Sequence, residues 1–437
     1  MTTSEQNSVY SPSLTEDVCR WLYSCVLVLI IPFAFINLMR RGATRNKDYN
    51  RRRFERFGLV AHAPKKNGYL FHCVSVGEVV AASCLIKRIM EAEPDTQITI
   101  TTTTPTGSAR VKDIFGDRVH HFYLPYDLHM AMAGMIRRIK PKAVLITEVE
   151  LWPNLIHACW KRNIPVMVIN ARMTDKSAKR YAKIGKLFFP MLKKISHVCA
   201  QGKRDFNNYK WLGMEESKLT LTNNIKFDQV ASVKQDVDEF MGIKKGGAPI
   251  FVAGSTHEPE EQVIVDAMKI LWETEPDLRV IIVPRHPERF DTVAKILQSN
   301  NIDYIRTSKV DVIEDTVKCI LLDEMGKLNK AYAIASFAFV GGSIANKGGH
   351  NALEPVAFSV PVLMGPHTYN NPDICDYLRQ KGALFIVSNA QIMAEQCLTW
   401  LNSPKLRQQA GEAGKRVLEQ NSTALDATLK CMHRYVA

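Results

Sequence analysis

The sequence lacks the usual signs of metal and nucleoside-triphosphate chemistry. It has no HExxH pair, no GxxxxGK[ST] loop and no aromatic RNA-binding signature. A zinc hydrolase, a P-loop enzyme and an RNA-recognition module therefore lose support. Ten cysteines are scattered without a CxxC pair or zinc-like spacing, which argues against a thiolate metal site. With the chain in a reducing cytoplasm, free thiols and no disulfides are expected. Short internal repeats and low-complexity tracts are missing too, and with them a repeat architecture.

What is present is a chain of 437 residues, 46% hydrophobic, which is long enough for two or three domains; two are expected. The formal charge of +13 raises the question of a nucleic-acid partner, and the placement of the charge answers it. Eight Lys or Arg residues fall between Arg40 and Arg56 against only Asp48 and Glu55, so nearly half the excess is local. No nucleic acid is expected as a partner.

Just ahead of that segment, Trp21 to Met39 (WLYSCVLVLIIPFAFINLM) is a run of 19 uncharged, mostly apolar residues. That is close to the ~20 needed to cross a bilayer. A signal peptide carries its positive charge before the apolar run; here Glu5, Glu16 and Asp17 precede it with only Arg20 in balance. The run reads as a single-pass membrane helix, Pro32 included, and the positive-inside rule puts the rest of the chain in the cytoplasm at the inner membrane. The basic segment is also suited to anionic membrane lipids.

Beyond it, strand-like stretches alternate with segments long enough for crossover helices: Gly68 to Val76, Gln97 to Thr103, His120 to Tyr126, Ala143 to Glu148, Val166 to Asn170 and His197 to Gln201. This pattern specifies a parallel, doubly wound sheet. Composition turns polar and glycine-containing across Gln229 to Pro249, marking a junction. A second alternating series follows through Ile250 to Gly254, Arg279 to Pro284, Asp303 to Thr307, Cys319 to Asp323, Phe337 to Gly342 and Pro361 to Gly365. The expected divisions are 1–39 for the tail and membrane helix, 40–230 for the first domain and 248–437 for the second. Two similar sheets imply a cleft.

Ligands bind such sheets beyond the carboxyl ends of their strands. In the first half, Glu78 lies at a strand-to-helix turn; it serves either the helix dipole or catalysis. Glu148 stands at a second strand end on the same edge, and two neighbouring carboxylates raise each other's pKa, as a general base requires. Lys226 (NNIKFD) is either solvated or placed to offset charge on a leaving phosphate.

In the second half, FVGGSIANKGGHNALEP (Phe339 to Pro355) runs from a strand through a glycine-rich loop into a helix expected near Asn351. It reads as a phosphate cradle or as a flexible turn. Glu354 is placed to reach a ribose hydroxyl. Arg285 and His286 supply donors after another strand. Ser255 or Thr256 is placed either to cap a helix or to touch a phosphate.

Taken together, SVGE, TTTTPTGSARV, LPYDL, ELWPN, NAR, KFD, STHEPEE, PRHPERF, GGSIANKGGHNALEP and PVLMGPHTYN resemble, in order from Ser75 to Asn370, the 3-deoxy-D-manno-octulosonic acid (Kdo) transferases of Gram-negative bacteria. The resemblance implies a GT-B glycosyltransferase fold, an α/β architecture of two Rossmann-like domains facing across a cleft, the first for acceptor and the second for donor. It implies CMP-Kdo as donor, a lipid A precursor (lipid IVA) as acceptor, an inverting transfer in lipopolysaccharide synthesis, and no metal or other cofactor. By motif it assigns Glu78 as general base and Glu148 and Lys226 to transition-state stabilisation. CMP contacts fall on Pro284, Arg285, Met325, Gly326, Lys327, Asn351, Ala352, Leu353 and Glu354. One departure is Pro259 where many relatives have glycine, and a proline suits the first turn of a helix. Two rivals stay open: a sugar-nucleotide epimerase, which needs no lipid acceptor, and a membrane-tethered nucleotide-binding protein, which leaves Glu78 without a role.

Overall fold

The computed structural model describes residues 10–44, 47–59, 67–231 and 237–436. Glu5, Arg45 and residues 232–236 of the expected junction lie outside the described residues. The chain forms two compact units, residues 1–228 with 423–437, and residues 229–422.

The first unit is built on a seven-stranded sheet: β1 (Tyr69–His72), β2 (Ile98–Thr102), β3 (His120–Tyr123), β4 (Ala143–Thr147), β5 (Val166–Ala171), β6 (His197–Ala200) and β7 (Leu219–Leu221). Every neighbouring pair is parallel, in the order β3-β2-β1-β4-β5-β6-β7. The residues of β1, β2, β4, β5 and β6 are all buried, because crossover helices cover both faces. The order of the strands reverses between β1 and β4. This is the switch point at which open α/β sheets bind ligands.

The second unit repeats the plan after a two-residue pair, β8 (Glu239–Phe240) and β9 (Ile243–Lys244). Its strands are β10 (Ile250–Thr256), β11 (Arg279–Pro284), β12 (Tyr304–Arg306), β13 (Cys319–Leu321), β14 (Phe337–Val340), β15 (Val362–Met364) and β16 (Leu384–Ile386). They are parallel in the order β12-β13-β11-β10-β14-β15-β16, with the switch point between β10 and β14.

The last helix departs from the expected 248–437 division. Ala424–His433 packs on the first unit, where Cys431 and Met432 join the core around Phe71, Leu145 and Cys199. The Asp228 carboxylate accepts from the Ala424 and Leu425 amides (3.1 and 3.4 Å), tying down an otherwise unsatisfied helix start. Arg88 pairs with Asp426 at 3.2 Å.

The apolar N-terminal run lies in a 31-residue helix, Leu14–Thr44, long and apolar enough to cross a membrane. One narrow stripe of it, Arg20, Ser24, Ile31 and Gly42, is buried. In the basic segment that follows, Arg56 is also buried, donating to the Thr103 carbonyl at 2.7 Å and stacking over Tyr123. It belongs to the fold rather than to a free cationic surface.

Candidate active site

In the first unit, β1 ends at His72 and the helix Val76–Ala92 starts four residues later with Ser75 as its N-cap. Glu78 occupies the third helical position, as in a capping box. The Ser75 hydroxyl accepts from the Glu78 amide (3.4 Å) and donates to Glu78 Oε1 (2.9 Å). The Val74 amide donates to Oε2 (2.8 Å). The carboxylate is thus held at the switch point and is only 7% exposed. Burial pushes its pKa up to about 7, against the Val74 and Ser75 bonds, and the charges of Glu148 and Glu150 push the same way. A carboxylate with that pKa is half ionised near neutrality and suited to take a proton.

Glu148 follows β4, the other strand of the switch, with a left-handed backbone (φ 62°). Its amide donates to the Ile169 carbonyl (3.0 Å), and its carbonyl accepts from the Arg172 amide (3.3 Å), so the turn is fixed to the end of β5. Lys226, in the short helix Ile225–Ala231, is half-buried and not the solvated lysine of the alternative reading. Burial lowers its pKa, Glu148 raises it and Arg172 lowers it. Glu148 therefore acts electrostatically on both Glu78 and Lys226. Asn170 positions the lysine's helix, accepting from the Ile225 amide at 3.1 Å. Glu150 and Arg172 are members of this group that the sequence reading left unassigned, although both sit in quoted motifs.

In the second unit, Pro284 ends β11, and exposed Arg285 follows it, its amide bound to the Thr256 carbonyl of β10 (3.1 Å). Met325 and Gly326 form an exposed turn after β13, and Lys327 pairs with Glu324 at 2.7 Å. Asn351 and buried Ala352 lead into the helix Leu353–Val356; the Asn351 side chain accepts from the Leu353 amide (3.2 Å). Burial raises the pKa of Glu354, and the Arg285 charge and Asn351 oppose that shift. Arg285 and the 351–354 turn thus share one environment, while Met325 to Lys327 stand at the end of β13, next to β11 in the sheet.

The glycine-rich loop corrects the phosphate-cradle reading. Amides of Gly342, Ser343, Ile344 and Ala345 point at a carboxylate of the chain itself, Glu260, at 2.8, 2.9, 2.8 and 3.1 Å. The His257 amide adds a fifth bond at 2.9 Å. Glu260 is fully buried, and its two oxygens fill the nest that an anion would otherwise occupy. The helix after the loop has only four residues, so its dipole is small. Nor do Ser255 and Thr256 cap a helix: both belong to β10, and Thr256 donates to Glu261 at 3.1 Å. Pro259 stands at the N-cap, one residue before the helix Glu260–Thr274 rather than inside its first turn.

Three histidines complete this edge. His257 Nε2 lies 2.9 Å from His350 Nε2, their rings stacked 5.1 Å apart, and His286 meets His257 edge-on at 5.2 Å. Burial, with Arg285 and the other two rings, lowers His350 to about 4, so that ring is neutral at pH 7. Arg285 thereby remains the strong cation of the group. Only His286 had a signal in the sequence, as a neighbour of Arg285; the pairing of His257 with His350 depends on two loops meeting.

Comparison with known proteins agrees with this architecture. Residues 51–229 match a family described as 3-deoxy-D-manno-octulosonic-acid transferase (kdotransferase), and residues 250–417 match glycosyl transferases group 1. The chain is 39% identical to a 3-deoxy-D-manno-octulosonic acid transferase of Haemophilus influenzae, over 95% of this chain and 99% of that protein. A protein of the same description from Bordetella pertussis is 28% identical over the same shares. Among solved structures, a UDP-GlcNAc 2-epimerase from Neisseria meningitidis bound to UDP-GlcNAc aligns with a TM-score of 0.59, covering 84% of this chain and 100% of that one at 14% identity. That last likeness is one of fold alone. The chain belongs to the 3-deoxy-D-manno-octulosonic acid transferase family and is a glycosyltransferase of the GT-B fold.

Proposed function

We propose that the protein transfers Kdo from CMP-Kdo to a hydroxyl of a lipid A precursor, lipid IVA, with inversion at the anomeric carbon and release of CMP. Glu78 takes the proton of the attacking hydroxyl as the new C–O bond forms. The bond from the anomeric carbon to the CMP phosphate breaks, and its electron pair leaves on the phosphate. Burial, helped by the Glu148 charge, keeps Glu78 basic enough to work, and Lys226, with Arg172 beside it, faces the negative charge that develops. Pro284, Arg285, the 325–327 turn and the 351–354 turn hold the nucleotide. Arg285 takes the phosphate charge, and Glu354 takes a ribose hydroxyl. The enzyme works at the cytoplasmic face of the inner membrane, where its lipid acceptor lies.

One observation carries this reading. A carboxylate at the switch point of the first sheet is buried, held by two hydrogen bonds and brought to a pKa of about 7. A positioned base contributes about 10²- to 10⁴-fold, and holding the reactants in line supplies much of the remainder. In the full-length protein, Glu78→Gln should lower turnover of CMP-Kdo with lipid IVA by at least the smaller of those factors, with CMP binding intact. Unchanged turnover removes Glu78 from the chemistry.

A further inference from the structure

The N-terminal helix has two incompatible tasks if it crosses the bilayer, because the same residues that would span are docked on the first unit. Arg20 Nη1 donates to Asn154 Oδ1 at 3.1 Å and lies 3.1 Å from His129 Nδ1. The Ser24 hydroxyl accepts from Asn154 Nδ2 (3.0 Å), and Tyr23 donates to Asp127 Oδ2 (3.1 Å). Asn154 is fully buried and Asp127 nearly so. About three turns on, Phe35 meets Phe57 at 5.1 Å, and Phe57 in turn meets Tyr126 at 5.5 Å. The helix therefore lies along the unit rather than standing away from it by one end.

Its other side is bare. At 100° per residue Arg20, Ser24, Ile31 and Gly42 share one narrow stripe, and Leu22, Leu29, Phe33 and Ile36 face the opposite way, 54–74% exposed. The exposed surface continues through Arg40 and Arg41 at the end of the helix to Lys47 and Arg51 beyond it, with exposed Phe54, Phe57 and Leu59 following. Apolar residues flanked by a cationic rim complement an anionic phospholipid surface. In an ordinary interfacial helix the polar side faces water; here Arg20 through Nη1, Tyr23 and Ser24 instead bond to the protein.

We propose that the helix Leu14–Thr44 lies in the plane of the membrane, its Leu22, Leu29, Phe33, Ile36 face in one leaflet of an anionic phospholipid bilayer, so that the whole chain stays on one side. Lifting it into a spanning pose would strip Arg20 and Ser24 from Asn154 and leave buried Asp127 without Tyr23. The in-plane pose keeps these contacts and still buries the apolar face. It does not depend on which sugar is transferred.

The test uses the full chain in vesicles of phosphatidylethanolamine and phosphatidylglycerol. Cys19, Cys25 and Cys84, the cysteines that are not fully buried, are replaced by serine, and turnover is checked. Spin labels placed in turn at positions 22, 29, 33 and 36 should report one common depth, within about 10 Å of the surface. A membrane-impermeant maleimide should label Leu14→Cys and Thr44→Cys from the same side. A spanning helix would separate positions 22 and 36 by about 21 Å along the normal and place 14 and 44 on opposite sides, which overturns the proposal. Failure to bind vesicles, with the labels shielded in a dimer of the chain, overturns it equally.

Discussion

Replacing Glu260 with glutamine is an informative perturbation of the second unit, because it changes one atom in a fully buried nest of five amides. Oε1 accepts from Ser343, Ile344 and Ala345, and Oε2 from His257 and Gly342. Whichever oxygen becomes the amide nitrogen, at least two N–H donors then face an N–H₂ group. The charge that strengthened the remaining bonds is lost as well. A buried donor left unmade costs ~1–3 kcal/mol, so two of them, taken as not fully additive, give a loss of about 2–5 kcal/mol. For a unit of this size that corresponds to a fall in Tm of roughly 4–20 °C. Because the same loop leads into Asn351 to Glu354, CMP affinity should fall too. Calorimetry of the second unit's transition, with CMP titrated into the full-length protein, checks both. Glu260→Gln within about 0.5 kcal/mol of the parent, binding CMP equally well, would refute the anchoring role.

Other outcomes follow from the same geometry. Lys226→Met should lower turnover by about 10²- to 10³-fold and leave CMP affinity unchanged, as read by steady-state kinetics and titration. Arg285→Lys should raise KM for CMP-Kdo more than it lowers kcat, since lysine cannot reproduce a planar two-point contact with phosphate. Glu78 also has a stability signature. Its folded pKa, about 7, lies above the ordinary 4.5, so its contribution is fully present below pH 4.5 and is lost as pH rises through about 7. Glu78→Gln should therefore match the parent near pH 4 and exceed it by up to ~3 kcal/mol at pH 8 in denaturant melts. The opposite sign would mean that Glu78 is not strained in the folded chain.

The central strands of both sheets were legible because burial on two faces makes them continuous apolar runs, as in FAFV or AVLIT. The edge strands β7 and β16 were not. Each has three residues and only one fully buried, so its pattern resembles a loop. Glu78 and Glu148 were readable as acids at strand ends, a feature of local order in the chain. The partnership of Glu260 with residues 342–345 was hidden because it joins positions more than 80 residues apart, and in the sequence an acid beginning a helix has a sufficient local reason to be there. The return of the last helix was equally invisible: its capping by Asp228 spans 196 residues.

The most direct measurement of the central claim is the pH dependence of kcat/KM for the parent and for Glu148→Gln. With Glu78 as the base, the parent's rate should rise with pH through an apparent pKa near 7, and removing the Glu148 charge should move that limb to lower pH. A limb unmoved by Glu148→Gln, or one that persists in Glu78→Gln, would contradict it.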